Sequence, residues 1–259
     1  MIISHKHKFI FYKPLKVGGS SIEVNLLKHC GPEDILTGSD IVEEQQRHGY
    51  THRNVFNSDG ITHFHMHTGP ELLKLITQND WSDYFKFSAV RNPWDLCVSY
   101  FWWCFYSPHS ANSISRLSRT APQEDDDIST LRRKFAQFLT CSADFTSGPR
   151  GPEGKQVIVD WLARTNQEFH QDMDYVIRYE NLQEDYENAC VTLNLPHEKL
   201  PHLKSLQRKS PAHYSAYYDE STYDKVRHAF CTSIQEFEYK FDAREMCHNL
   251  VSPQRVEHQ

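Results

Sequence analysis

Two short segments carry residue types suited to holding an anion, and a third carries residues suited to moving a proton. The first is Lys16-Val17-Gly18-Gly19-Ser20-Ser21. Adjacent glycines let the backbone turn sharply and bring its N–H groups against an anion, while a lysine and hydroxyls complete the cradle. The second is Arg91-Asn92-Pro93-Trp94-Asp95-Leu96-Cys97-Val98-Ser99-Tyr100. An arginine at the end of a strand and beside a helix start suits bidentate binding of a phosphate, and Ser99, about two helical turns further on, can add a hydroxyl. Taken singly, each also has a bland explanation: a Gly-Ser turn, or an arginine ion pair with a buried serine.

The third segment is Thr62-His63-Phe64-His65-Met66-His67. In an extended chain its three histidines face one way and Phe64 and Met66 the other. An imidazole with an ordinary pKa near ~6.5 suits a general base at neutral pH. The same three nitrogens could instead hold zinc and make a metal-dependent hydrolase. No H-x-H-x-D-H pattern or distant ligand set accompanies them, and a metal would leave the two anion-binding segments unexplained. A P-loop kinase or NTPase fits poorly too, because G-x-x-x-x-G-K-[ST] places its lysine after the glycines and here Lys16 precedes them. A non-catalytic nucleotide-binding protein is a further alternative.

The elements that must position these residues are well signposted. Lys8–Lys13 has the composition of a buried strand, and a helix is expected after the glycines, with Ser20 and Glu23 at capping-box spacing and Gly31-Pro32 as its stop. Tyr84–Val90 predicts a second strand. Asn92 can cap the helix that follows, Pro93 suits its first position, and Trp94, Val98, Phe101 and Phe105 form its apolar stripe. Tyr175–Tyr179 predicts a third strand, followed by a helix over 182–193. Further helices are expected near 128–139, 157–163, 223–230 and 232–239. Strands alternating with helices imply an α/β fold, a central parallel sheet flanked by helices. Residues 107–127 and 142–154 are expected as long loops and 248–259 as a flexible tail. No repeat or linker divides the chain, so 1–259 is expected to be one domain.

Composition narrows the classes. The 259 residues are 39% hydrophobic and 24% charged, as in ordinary globular proteins. A net charge of −6 disfavours nucleic acid or another polyanion as partner. Seven cysteines without a C-x-x-C fit reduced thiols, the first residues are too polar for a signal peptide, and no apolar run approaches the ~20 residues that span a bilayer. A cytoplasmic protein that does not engage a membrane is the expectation.

Together the two anion-binding segments, residues 8–30 and 84–106, resemble the PAPS-dependent sulfotransferases (PAPS is 3′-phosphoadenosine 5′-phosphosulfate), particularly the branch with K-T-G-G-T-S and R-N-P-W-D-R-x-x-S-x-Y motifs. Tyr175-Val-Ile-Arg-Tyr-Glu-Asn-Leu182 and the stretch from Tyr217 to Phe241 are similar to later parts of that family. The resemblance implies a P-loop-NTPase-like architecture and transfer of a sulfuryl group from PAPS to a hydroxyl or amine, leaving 3′,5′-ADP, without a metal. It implies that Lys16, Val17, Gly18, Gly19, Ser20 and Ser21 hold the 5′-phosphosulfate, that Lys16 stabilises charge on the leaving oxygen, and that Arg91 and Ser99 bind the 3′-phosphate. Arg208 and Lys209, in a basic run after Pro201, would close over the nucleotide. His67 falls where the family places a histidine ahead of a helix, which makes it the first choice as base and His65 the second. Val17 and Ser20 stand where the family has Thr, and Leu96 where it has Arg. The expected acceptor is a small polar molecule; a cationic one drawn by the acidic run Glu124–Asp127 is one form of it, and a carbohydrate is the alternative.

Overall fold

A computed structural model of the protein describes residues 1–37, 67–77, 81–106, 119–145, 154–203 and 208–246. These residues form strands β1 (Ile2–Ser4), β2 (Phe9–Phe11), β3 (Ile35–Leu36), β4 (Phe85–Val90), β5 (Ser142–Phe145), β6 (Gly154–Val157) and β7 (Tyr175–Arg178). The helices are α1 (Gly19–Leu27), α2 (Pro70–Thr77), α3 (Pro93–Tyr106), α4 (Ile128–Thr140), α5 (Ile158–Gln167), α6 (Leu182–Thr192), α7 (Glu220–Ala229) and α8 (Cys231–Glu236).

The central sheet has the order β3-β1-β2-β4-β7. Its functional half is parallel as expected: β2 pairs with β4 through Phe9↔Phe85 and Phe11↔Phe87, and β4 pairs with β7 through Ala89↔Ile177. The other half is an antiparallel extension, in which β1 pairs with both β2 and β3. Side chains alternate across the sheet. Phe9, Phe11, Phe87, Ala89 and Ile177 join one core cluster with α1, α3 and α5, while Ile3, Ile10 and Tyr12 join a second with Leu73, Trp81 and Phe169. Both faces are therefore covered, and the three parallel strands deliver their carboxyl ends to one edge, where ligands bind in open α/β sheets.

Two local expectations are corrected. The Ser20–Glu23 capping box does not form; Gly18 caps α1 by its backbone, without a side-chain cap. Glu23 is buried and accepts from Lys13 Nζ at 2.7 Å, because a buried lysine outcompetes a backbone amide for a carboxylate. The ends of the expected 142–154 loop instead form the β5–β6 hairpin, with Ser142 opposite Val157. Residues 107–118, 146–153 and 247–259, which include most of the other expected loop and the tail, lie outside the described residues.

The turn after α5 buries His170 with neither ring nitrogen hydrogen-bonded among the described residues, its ring edge-on to Phe237 at 4.8 Å. Burial pushes the imidazole down from 6.5 to about 4. The unfolded chain therefore takes up a proton that the folded chain refuses until the more acidic end of that window. Stability is whole above the unfolded value and falls as pH drops, by roughly 3 kcal/mol in all. Urea titrations between pH 4 and 7 should show this slope, and His170→Phe should flatten it; an equal slope in the variant would contradict the assignment.

Candidate active site

The carboxyl edge of the sheet opens into a cleft of about 460 Å³. Its first wall is the turn from β2 into α1. Lys16 and Gly18 both take left-handed backbone conformations, with φ of 62° and 79°. At Gly18 a Cβ would lie 2.9 Å from Leu182 Cδ2, and at Gly19 it would lie 2.8 Å from Lys13 Cγ. The glycines are needed because the turn is packed from both sides. Ser20 and Ser21 follow in the first turn of α1, and Ser21 Oγ accepts from the Leu203 amide at 3.4 Å.

The second wall is the start of α3. Pro93 opens that helix, and the Trp94 amide donates to Asn92 Oδ1 at 3.1 Å, the expected cap. Arg91, at the end of β4, donates from Nη1 to the Lys16 carbonyl at 2.9 Å. Its guanidinium lies 3.8 Å from the centre of the Tyr179 ring, which comes off the end of β7. Arg91 also donates from Nε and Nη2 to Asp95 Oδ2, at 2.9 and 2.6 Å. The outward face of α3 carries Asp95, Ser99 and Trp103 at four-residue spacing, and all three are half-buried on a helix that is otherwise mostly buried. Ser99 and Trp103 line the cleft, and Lys16 Nζ stands 5.5 Å from the Trp103 ring.

The third wall is His67, just ahead of α2. Its Nδ1 lies 2.6 Å from the Lys13 carbonyl. A carbonyl only accepts, so the neutral ring carries its proton on Nδ1, and Nε2 is the basic nitrogen. Residues 199–203 and Arg208 close the remaining side.

Sequence-predicted residues thus gather here: Lys16, Gly18, Gly19, Ser20, Ser21, His67, Arg91, Ser99 and Arg208 all line one cleft. Two expected residues are placed differently from the rest. Val17 is 1% exposed and its side chain packs into the core, so only its backbone could meet a ligand. Lys209 does not line the cleft; its Nζ lies 3.6 Å from Glu124 and 5.6 Å from the centre of the Tyr106 ring. His63 and His65 lie outside the described residues, as do residues 204–207. Among the described residues no group of three or more His, Cys, Asp or Glu side chains could hold a metal.

A model described as the Sulfotransferase family matches residues 1–241. The chain belongs to the sulfotransferase family. No curated protein and no solved structure matches it. Sulfuryl transfer is therefore the reaction type of this sulfotransferase, and the cleft is its candidate active site.

Two of the site's residues are absent from the motifs: Lys13 holds His67 through its carbonyl, and Trp103 lies under Lys16. Tyr179, within the Tyr175–Leu182 stretch, is given no role by the sequence and backs Arg91. The four-residue spacing of Asp95, Ser99 and Trp103 is the one sequence signal that points to part of this set. No helix among the described residues is long and apolar enough to cross a membrane.

A substitution at the tight turn tests its packing. Gly→Ala at the start of a helix ordinarily stabilises. In this sulfotransferase the Lys13 stem is pinned by Glu23 and cannot step aside, so Gly19→Ala should instead destabilise by roughly 1–3 kcal/mol. Urea denaturation measures this, and a gain in stability would show that the turn is looser than described.

Proposed function

We propose that this sulfotransferase takes its sulfuryl group from PAPS and places it on a hydroxyl or amine of a small polar acceptor, with His67 as general base. The observation that carries the reading is the hydrogen bond from Arg91 to the Lys16 carbonyl, which puts two anion-binding turns in the same cleft as a histidine of defined tautomer. PAPS supplies a sulfuryl group already joined to a good leaving phosphate and departs as 3′,5′-ADP. The residues suit such a group: a glycine turn ahead of a helix start and two guanidinium groups line the same cleft.

The roles follow from position. Gly18, Gly19, Ser20 and Ser21 hold the 5′-phosphosulfate, and the Lys16 ammonium stabilises negative charge on the oxygen left behind. Arg91 and Ser99 bind the 3′-phosphate, with Arg208 closing beside them. His67 takes the acceptor proton at Nε2 while Nδ1 stays on the Lys13 carbonyl, which steadies the ring and favours the imidazolium that forms.

The acidic run offers little to a cationic acceptor. Asp127 caps α4 by accepting from the Thr130 amide at 2.7 Å, Asp126 accepts from Lys134 at 2.6 Å, and Glu124 pairs with Lys209. A neutral polar acceptor therefore suits the cleft best. We read the setting as reducing and cytoplasmic, since none of the six described cysteines forms a disulfide.

The test separates binding from chemistry. Calorimetry should show 3′,5′-ADP binding without added metal, and His67→Ala should leave that affinity unchanged. With labelled PAPS and a pool of hydroxyl and amine acceptors, the same variant should lose about 10²–10⁴-fold in kcat. Wild-type turnover in His67→Ala would remove His67 as the base, and absence of nucleotide binding in the wild type would remove PAPS as the donor.

A further inference from the structure

Asp95 does not line the cleft, yet it touches both arginines that do. It sits in the first turn of α3, four residues beyond Arg91. One oxygen, Oδ2, accepts from Nε and Nη2 of Arg91, and the other, Oδ1, lies 3.3 Å from Nη1 of Arg208. Side-chain exposure is 10% for Arg91 and 18% for Asp95, so the first pair is largely removed from water. A single carboxylate thus joins the end of β4 to Arg208, 113 residues beyond Asp95 itself.

The remaining contacts of each arginine bear on what that carboxylate does. Arg91 is backed by the Tyr179 ring and tied to the Lys16 carbonyl. Of the five N–H groups of its guanidinium, three are engaged, and one N–H on each terminal nitrogen has no partner among the described residues. Arg208 donates from Nη2 to the Ala212 carbonyl and lies over the Tyr217 ring, while its Nε is buried without a partner among the described residues. Two guanidinium groups held this close repel one another unless a negative charge stands between them. Asp95 is that charge, and its two oxygens point to different arginines.

We propose that Asp95 is a positioning residue for the 3′-phosphate end of the nucleotide site. It fixes the plane of Arg91 and keeps Arg208 alongside, so that both present their remaining donors to one dianion. The inference rests on the donor assigned under the proposed function. Its consequence runs against simple charge counting. A carboxylate close to an anion site repels the anion, so deleting it should tighten binding if charge alone mattered. A positioning role demands the opposite, because without Asp95 the arginines part and the bidentate geometry is lost.

The experiment compares two ligands by calorimetry on the full chain: 3′,5′-ADP, and 5′-AMP, which lacks the 3′-phosphate. Wild type should prefer 3′,5′-ADP. Asp95→Ala should weaken 3′,5′-ADP at least about tenfold, the equivalent of one charge-assisted hydrogen bond, and leave 5′-AMP unchanged. Asp95→Asn keeps an accepting oxygen without the charge and should fall between; being isosteric, it carries the test if Asp95→Ala does not fold. Unchanged or tighter 3′,5′-ADP binding in the variants overturns the positioning role. So does an equal loss for both ligands, which marks a purely structural residue. If wild type itself makes no distinction between the two ligands, the donor assignment fails first and this inference falls with it.

Discussion

The parallel pairing of β2 with β4 is the constraint on which the site depends. It sets two chain exits side by side, and the hydrogen bond from Arg91 to the Lys16 carbonyl joins them. That carbonyl is available because the chain curls through left-handed conformations at Lys16 and Gly18 instead of running on as strand. Non-glycine residues adopt such a conformation at a cost, which the surrounding packing must hold in place. Here the packing comes from Leu182 and Tyr179 on one side and the buried Lys13 stem on the other. Loop, helix start and the turn after β7 therefore form one packed unit.

Charge in the cleft is managed locally, which reconciles a net charge of −6 with an anion site. Three cations at the cleft have an aromatic face beside them: Trp103 for Lys16, Tyr179 for Arg91 and Tyr217 for Arg208. A ring restricts a long side chain and attracts its charge without neutralising it. Carboxylates are placed behind the cations, with Asp95 behind the arginines and Glu23 behind Lys13. The positive groups are thus ordered before any ligand arrives, which lowers the cost of binding one.

The features legible in the sequence were those written locally. Glycines packed at a strand–helix turn and Asn92-Pro93 opening a helix announce themselves within a few residues, because backbone conformation and capping act over that range. Glu23 shows the limit of this reasoning. Its spacing from Ser20 satisfies the capping rule, but the ion pair with Lys13 depends on burial created by the rest of the sheet. The β5–β6 hairpin is not legible in the sequence because its strands are short, and glycines and prolines dominate the stretch between them. Lys13 could not be foreseen as His67's partner, since the contact uses its carbonyl and any residue supplies one. The partners of Lys209 are not legible either, because Glu124 and Tyr106 are brought to it only by the fold.

A crystal structure of the protein with 3′,5′-ADP tests the central claim most directly. The account requires the 5′-phosphate against the backbone of Gly18–Ser21 and the 3′-phosphate against Arg91 and Ser99, with the Arg91–Lys16 hydrogen bond intact. A nucleotide seated outside this cleft, or one whose two phosphates exchange ends, would contradict it.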